Sequence, residues 1–348
     1  MSYNRFTQPR AYVDLITFDL ATGWRSLSDI SMLQDDGSTA VTFQEGSKSD
    51  IFDARPQNVT RIEKENQSFI IQYNTGNSTD ALAESNFLAI MNHNFAAADA
   101  VIVVQTDDAS NFSSPTTIST TGNHTKVVNA AANDSAGEID PAEDGWTLIT
   151  WPTQESNNQF LRITITDENG TGQNFLKDPR IGSIMFGEYF DFPSMDLSLS
   201  TDIEYDGTTV QRSLGGNMYA NTTHLGNPVW DHTLPWHTAI GPDQDTKVFK
   251  QRYGRMRHSL SFSHIVDTNI WPEDMGNADN SKFYDTTNLH NSFYNKVLGQ
   301  RNPFLFSINK DSTDNGDYGL FRVDSDTFSS SHTIHKVWST KMDLIEHW

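Results

Sequence analysis

Short runs of β-branched and aromatic residues, separated by clusters of Asn, Asp, Ser, Gly and Thr, dominate this chain. Such runs are typical of antiparallel strands that are joined by turns. Within residues 160–166, the polar Arg162, Thr164 and Thr166 alternate with apolar neighbours, which predicts one buried face and one face in water. The pattern therefore predicts an all-β fold that is built from antiparallel β-sandwich domains.

Similar runs predict strands along the whole chain. They cover residues 12–20, 68–73, 87–91, 100–105, 146–151, 160–166, 181–186, 196–199, 208–212, 257–263, 304–308, 319–323 and 337–345. Polar stretches at residues 106–122 and 129–145 are predicted to be long loops, where recognition often resides. The absence of repeats and of heptads disfavours a solenoid, a propeller or a coiled-coil shaft.

One helix is predicted in the second half. Leu289, Phe293 and Val297 recur at a spacing of four residues, Asn288 can cap the start of the helix, and Gly299 can end it. The second half is therefore expected to be β structure with one short helix.

The length of 348 residues favours two domains. A change of texture after Pro193 suggests a boundary there. We predict an N-terminal domain at residues 1–192, which includes an N-terminal extension, and a C-terminal domain at residues 193–348.

Charge and cysteine content exclude several classes of partner and site. The chain has 24 Lys and Arg against 45 Asp and Glu, a net charge of −21, which disfavours nucleic acid and anionic lipid as partners. Without cysteine it can form no disulfide, thiolate metal site or cysteine nucleophile. No apolar run approaches the roughly 20 residues of a membrane helix, and the N-terminus lacks a signal-like stretch, so we expect no membrane insertion and assembly in a host cytoplasm.

The first half resembles a galactose-binding-like (discoidin-type) jelly roll. The resemblance is carried by four segments in order, NFLAIMNHNF at residues 86–95, AVIVVQTDD at 100–108, QFLRITI at 159–165 and IGSIMFGEY at 181–189. It implies that these segments are core strands of a jelly roll that covers roughly residues 50–190, within the predicted domain 1–192.

The second half resembles a module of structural tail proteins of bacteriophages. The resemblance is carried by SLGGN at residues 213–217, RYGRMR at 252–257 leading into LSFS at 260–263, NPFLFS at 302–307, LFRVD at 320–324 and the terminal LIE at 344–346. It implies a role in the tail or tail tip of a virus particle.

Motifs of catalysis and of phosphate binding are absent from the sequence. There is no Gly-x-Ser-x-Gly motif, and Gly215 and Gly216 are interpreted as a turn. We therefore predict that the chain is not an enzyme, with no catalytic residue, no cofactor and no metal site.

Five groups of residues are candidate binding sites, and each has an ordinary structural interpretation. His224, His232 and His237 are interpreted as loop and packing residues because no third ligand pattern accompanies them. Residues 311–317 lack the glutamate that a calcium loop needs and are predicted to form a polar turn. Residues 167–170 are predicted to form a hairpin turn. The two remaining groups are the tryptophans Trp230, Trp236 and Trp271, interpreted as buried, and the basic stretch 247–257, interpreted as a strand face that meets acidic neighbours or a partner subunit.

These observations favour a virion structural protein of a tailed bacteriophage, a distal-tail or baseplate-like component. Its predicted partners are copies of itself in a symmetric ring and other virion tail proteins, because paired strand edges can join identical subunits. The alternatives are a carbohydrate-binding adsorption protein, with a host surface glycan as partner, and a decoration protein on the capsid.

Overall fold

The computed structural model describes residues 8–76, 85–120, 122–133, 137–142, 145–152, 159–167, 174–196, 199–204, 208–222, 255–271 and 288–347. Its sheets are antiparallel and its helices are few and short, so the prediction of an all-β fold is confirmed. The largest sheet has 11 strands and the second has seven.

The strands of the first half are β1 (Arg10–Asp14), β2 (Ile30–Gln34), β3 (Phe43–Glu45), β4 (Thr60–Ile62), β5 (Ser68–Asn74), β6 (Phe87–Met91), β7 (Ala100–Asp107), β8 (Thr116–Thr117), β9 (Lys126–Val128), β10 (Ala130–Asn133), β11 (Glu138–Pro141), β12 (Trp146–Thr150), β13 (Phe160–Asp167), β14 (Arg180–Ile181) and β15 (Ser183–Asp191). Those of the second half are β16 (Ser200–Glu204), β17 (Thr208–Arg212), β18 (Met218–Thr222), β19 (Arg255–Val266), β20 (Phe304–Ser307), β21 (Tyr318–Val323), β22 (Ser330–Ile334) and β23 (Val337–Glu346).

The helices are α1 (Leu15–Thr22), α2 (Lys48–Ile51), α3 (Phe95–Ala98), α4 (Asp267–Ile270) and a π-helix (Leu289–Asn295). Short 3₁₀ turns lie at Leu27–Asp29, Lys64–Asn66 and Asn315–Asp317.

One continuous sheet joins strands from both halves of the chain. Its order is β16-β19-β23-β21-β20-β1-β15-β6-β12-β9, with β22 paired to β23. Strand β1 lies in its middle, where Asp14 pairs with Gly187 of β15 and Ala11 pairs with both Phe190 and Phe306. The sheet therefore continues across residues 192 and 193, and the division into two domains there stays a prediction.

The seven-stranded sheet packs against one face of this large sheet to form a sandwich. Its order is β10-β11-β7-β13-β5-β2, with β8 paired to β7. Burial alternates along β13 as the sequence predicts, with Leu161, Ile163 and Ile165 buried. The core between the sheets also contains Phe69, Ile71 and Tyr73 of β5, Leu88 and Ile90 of β6, Ile102 and Val104 of β7, Ile149 and Trp151 near β12, and Ile184 and Phe186 of β15.

The large sheet curls so that distant strands meet on one of its faces. Trp146 of β12 lies 5.4 Å from Tyr318 of β21, measured between ring centroids, although four strands separate them. The ammonium of Lys126 in β9 donates to the Lys310 carbonyl at 2.8 Å and to the Tyr318 hydroxyl at 2.7 Å. These contacts and the buried Tyr12 fill the concave face of the sheet.

The opposite face of the C-terminal strands carries a third core, rich in phenylalanine. The π-helix covers it, and Leu289, Phe293 and Val297 are buried there as the sequence predicts. The Asn288 side chain accepts a hydrogen bond from the Asn291 amide at 2.8 Å, so the predicted N-cap is confirmed. The helix is a π-helix and not the predicted α-helix, and it ends at Asn295, four residues before the predicted end at Gly299.

The predicted strand at residues 12–20 is wrong beyond Asp14. The chain leaves β1 there and enters α1, because the Asp14 carboxylate accepts from the amides of Ile16 at 3.2 Å and Thr17 at 3.1 Å. Gly23 ends the helix with a φ of +77°. Leu15, Ile16 and Phe18 are buried in a helix just as they would be in a strand, so their hydrophobicity alone did not distinguish the two.

Three further strand and loop predictions need correction. The predicted loop at 106–122 contains β8, and the loop at 129–145 contains the hairpin β10–β11, which extends the edge of the smaller sheet. The strand predicted at 196–199 is wrong at both ends, since Asp196 and Leu199 lie outside strands and β16 begins at Ser200. The hairpin turn predicted at residues 167–170 falls largely outside the described residues.

Stability should depend on pH through Asp14. Its carboxyl is buried and also accepts from the Phe186 amide at 3.0 Å, but burial outweighs these hydrogen bonds and raises its pKa to about 6. The folded state thus binds the proton more tightly than an unfolded chain, in which the pKa is about 4. This stabilisation is complete below about pH 4 and is lost as the pH rises through about 6.

We therefore expect the wild-type protein to lose stability relative to an Asp14→Asn variant by about 1.4 kcal/mol per pH unit between pH 4 and 6. Above pH 7 the difference should be constant. Urea unfolding of both proteins at several pH values measures this difference, and other titrating groups cancel in the comparison. A difference that does not change with pH would contradict the assignment.

Candidate functional site

Strands β17 and β18 form a hairpin that makes a separate two-stranded sheet. Its turn is closed by the Ser213 amide donating to the Asn217 carbonyl at 2.9 Å and the Gly216 amide donating to the Ser213 carbonyl at 3.0 Å. Gly216 has a φ of +85°, which favours glycine. The prediction that Gly215 and Gly216 form a turn is therefore confirmed.

This hairpin exposes apolar side chains. Leu214 is fully exposed at the turn, and Val210, Met218 and Tyr219 are each more than half exposed. The register places Val210 and Met218 on one face, because Val210 pairs with Ala220 two residues beyond Met218. Since an isolated two-stranded hairpin is at best marginally stable in water, such an element gains most from packing against a partner.

The hairpin also differs from the rest of the chain in charge. Arg212 is the only charged residue within 208–222, although the chain contains 45 acidic residues. The edge strand β16, by contrast, carries Asp202 and Glu204 on an exposed strand. Charges on an edge strand oppose pairing with a like strand, so β16 is protected from association and the hairpin is not.

A cavity of about 270 Å³ opens on the large sheet near β16. Thr201 and Gly316 are exposed at its rim, whereas His258, Phe321 and Glu346 are buried at its floor. Its other lining residues are Met256, Phe306, Ile308, Asp317, Tyr318 and Gly319. Strands β16, β19, β20, β21 and β23 thus each contribute to one cavity.

Burial shifts the pKa values of the two ionisable groups at the floor in opposite directions. Burial lowers the pKa of His258 to about 4, so the ring is neutral at pH 7. Burial raises the pKa of Glu346 to about 7, although Arg255 and a hydrogen bond from the Met256 amide at 2.8 Å oppose this shift. The cavity therefore combines a neutral imidazole with a carboxyl that titrates near neutral pH.

Most candidate site residues either have structural roles or lie outside the described residues. His224, His232 and His237, with Trp230 and Trp236, lie outside the described residues, as do positions 247–254.

The remaining candidate groups make ordinary packing and ion-pair contacts. Trp271 packs on Trp338 with ring centroids 6.2 Å apart. Arg257 meets Asp324 at 2.7 Å and Glu204 at 3.5 Å, as expected for a basic strand face with acidic neighbours. Residues 311–317 form the predicted polar turn, in which the Ser312 hydroxyl donates to Asp317 at 2.6 Å.

Sequence reasoning missed the two features that the structure makes prominent. The sequence contains a signal for the hairpin, because an almost uncharged stretch stands out in so acidic a chain. It contains no signal for the cavity, because His258 and Glu346 are separated by most of the second half and meet only through the pairing of β19 with β23.

Within the described ranges, no three His, Asp or Glu side chains are grouped so that they could hold a metal ion. None of the helices there is both long and apolar enough to cross a membrane. The chain matches no protein-family model and no curated protein.

Proposed function

We propose that this chain is a structural subunit of a tailed virus particle, which assembles with copies of itself through the hairpin β17–β18. The observation that carries the proposal is the exposure of Val210, Leu214 and Met218 on a nearly uncharged hairpin. The sequence resemblance of the second half to bacteriophage tail proteins supports the same role. In this proposal the first half is an outward-facing jelly roll, and the second half embeds the subunit in a symmetric ring.

The charge distribution favours the hairpin as the place where two copies of the chain meet. Two chains that each carry a net charge of −21 repel each other, and contact is least costly where acidic residues are absent. The hairpin provides such a place, and its apolar side chains would lose contact with water on association. A closed ring of copies would also cover every hairpin, which an open pair would not.

We expect the purified full-length protein to form oligomers of defined mass, and we expect a variant with Val210→Thr, Leu214→Thr and Met218→Thr to be monomeric or at least tenfold weaker in assembly. Threonine keeps the β propensity of the strands while it removes apolar surface. Light scattering coupled to size-exclusion chromatography, over a range of concentrations, measures both masses.

Val266→Thr is the matched control for this variant. Val266 is 50% exposed and Val210 is 51% exposed, but Val266 lies on the large sheet and not on the hairpin. The control should assemble as the wild type does. A wild-type protein that stays monomeric at high concentration, or equal masses for the triple variant and the wild type, would contradict assembly through the hairpin.

The place in the particle needs a separate measurement. Antibody raised against this chain should label the tail of purified particles in negative-stain electron microscopy. Label that is confined to the capsid, or particles without label, would overturn the tail assignment while leaving self-assembly intact.

A further inference from the structure

The lining of the cavity near β16 is rich in hydrogen-bond acceptors and lacks cationic side chains. Glu346 and Asp317 contribute carboxyl groups, and none of the lining residues is Lys or Arg. The lining side chains offer few donors, because the Tyr318 hydroxyl already donates to the Ser312 carbonyl and the Thr201 hydroxyl faces Nδ1 of His258. A ligand for this cavity should therefore be richer in donors than in acceptors, which disfavours anions and sugars.

The second ring nitrogen of His258, Nε2, belongs to a buried residue whose ring lines this cavity. The residue is 5% exposed, and its Nδ1 is within hydrogen-bond distance of the Thr201 hydroxyl at 3.0 Å. Its Nε2 makes no hydrogen bond to the described residues, and the ring lines the cavity. In the tautomer whose Nδ1 carries the proton and donates to Thr201, Nε2 can accept a hydrogen bond from a bound donor.

Apolar walls complete the cavity. The rings of Phe306 and Phe321 lie edge to face at 5.5 Å, and His258 is 5.1 Å from Phe321. Met256 and Ile308 supply aliphatic surface. Aromatic rings attract cations through their faces and also accept alkyl groups, so the walls suit a ligand that is both charged and apolar.

A metal ion is a poorer candidate than an organic cation. The described residues, which include the whole set of lining residues named above, contain no group of three His, Asp or Glu that could hold a metal. Metal ions also need a nearly complete shell of oxygen or nitrogen ligands, which these apolar walls do not provide.

We propose that this cavity binds a small primary ammonium compound, whose ammonium group donates to Glu346 and to Nε2 of His258 and whose alkyl chain packs on Phe306, Met256 and Ile308. The cavity and the hairpin share no residue, so this proposal goes beyond the proposed assembly role and does not depend on it.

Binding should release protons near neutral pH. Burial places the pKa of Glu346 at about 7, so this carboxyl is about half protonated there, and a bound cation favours its ionised form. The charged and titratable groups around it are His258 and Asp317 in the cavity lining and Arg255, whose charge lowers the pKa of Glu346. Arg322 and His347 alternate onto the other face of the sheet. Burial lowers the pKa of both histidines to about 4, so neither titrates in this range.

Isothermal titration calorimetry of the full chain with n-butylammonium chloride tests the proposal, with 1-butanol as the neutral ligand of similar size. At pH 8 we expect a dissociation constant of the order of millimolar for butylammonium and binding at least tenfold weaker for 1-butanol. At pH 7, titrations in two buffers of different ionisation enthalpy should reveal proton release. Equal binding of both ligands, or no binding of butylammonium, would overturn the proposal.

Glu346→Gln should weaken butylammonium binding at least tenfold and abolish the proton release. The fold should tolerate this change, because the glutamine oxygen can still accept from the Met256 amide. Asp326→Asn removes one exposed charge at a distance from the cavity and should bind like the wild type. If Glu346→Gln binds butylammonium as tightly as the wild type does, the cation binds elsewhere and the proposal is contradicted.

A second variant guards against loss of folding in the first. Thr201→Phe fills the exposed rim of the cavity and also removes the hydroxyl partner of His258 Nδ1. It should block butylammonium binding while the circular dichroism spectrum stays that of the wild-type fold. The same titration with calcium chloride and with zinc chloride tests for metal binding. Binding of either metal with higher affinity than butylammonium at this site would show that the cavity selects metal ions, contrary to the proposal.

Discussion

Replacing Lys296 with methionine is expected to lower the free energy of unfolding by about 3 to 5 kcal/mol. The Lys296 side chain is 1% exposed, and its ammonium pairs with the carboxylate of Glu188, whose side chain is 11% exposed. Methionine keeps most of the volume but leaves a carboxylate buried without this partner. The pair joins the end of the π-helix to β15, so its loss should loosen the covering of the C-terminal core.

Lys341→Met is the matched control, because Lys341 pairs with Asp343 at 3.4 Å on the surface and is 63% exposed. Exposed pairs contribute about 0 to 1 kcal/mol, so this variant should unfold at nearly the wild-type urea concentration. The double variant Glu188→Gln with Lys296→Met should recover part of the loss, since no buried charge remains unpaired. Equal effects for Lys296→Met and Lys341→Met would contradict the buried pair.

Replacing Gly187 with alanine is expected to cost about 3 kcal/mol or more. A Cβ atom there would lie 2.2 Å from the Val13 carbonyl oxygen and 2.9 Å from the Leu15 amide nitrogen. These are backbone atoms where β1 ends and α1 begins, so they cannot move without disturbing the centre of the large sheet. The constraint is close approach and not backbone conformation, since Gly187 has no positive φ.

Gly215→Ala provides the control for this substitution. The nearest atom to a Cβ at Gly215 is the Ser213 hydroxyl oxygen at 3.9 Å, an ordinary contact. This variant should be as stable as the wild type, or slightly more stable because alanine restricts the unfolded chain. Urea denaturation of the two alanine variants measures the contrast, and similar midpoints would mean that β1 and β15 do not approach as closely as described.

Strand composition was readable from the sequence because it is local. Strands β6 and β17 have the predicted bounds, and the alternation in β13 gives the predicted burial. The missed helix α1 also had a local signal, since Asp14 precedes it and Gly23 follows it at the positions of helix caps. The apolar run between these residues favours a strand, and this pattern is stronger than the signal of the two cap residues.

Sheet order and the cavity could not be read in this way. The pairing of β1 with β15 and β20 depends on which strands shield which core, and no single strand records its neighbours. His258 and Glu346 look like ordinary residues of two polar strands until β19 pairs with β23 and buries both side chains. Their chemistry is a product of long-range pairing.

The position of β1 has a consequence for how the chain matures on the ribosome. Residues 10–14 emerge early, yet one neighbour, β15, ends at residue 191 and the other, β20, begins at residue 304. At about 5 to 20 residues per second, synthesis from residue 191 to residue 304 takes about 6 to 23 s, during which one edge of β1 stays open. Such delayed, non-local closure slows folding, and the edge of β1 cannot be paired before residue 307 has left the exit tunnel.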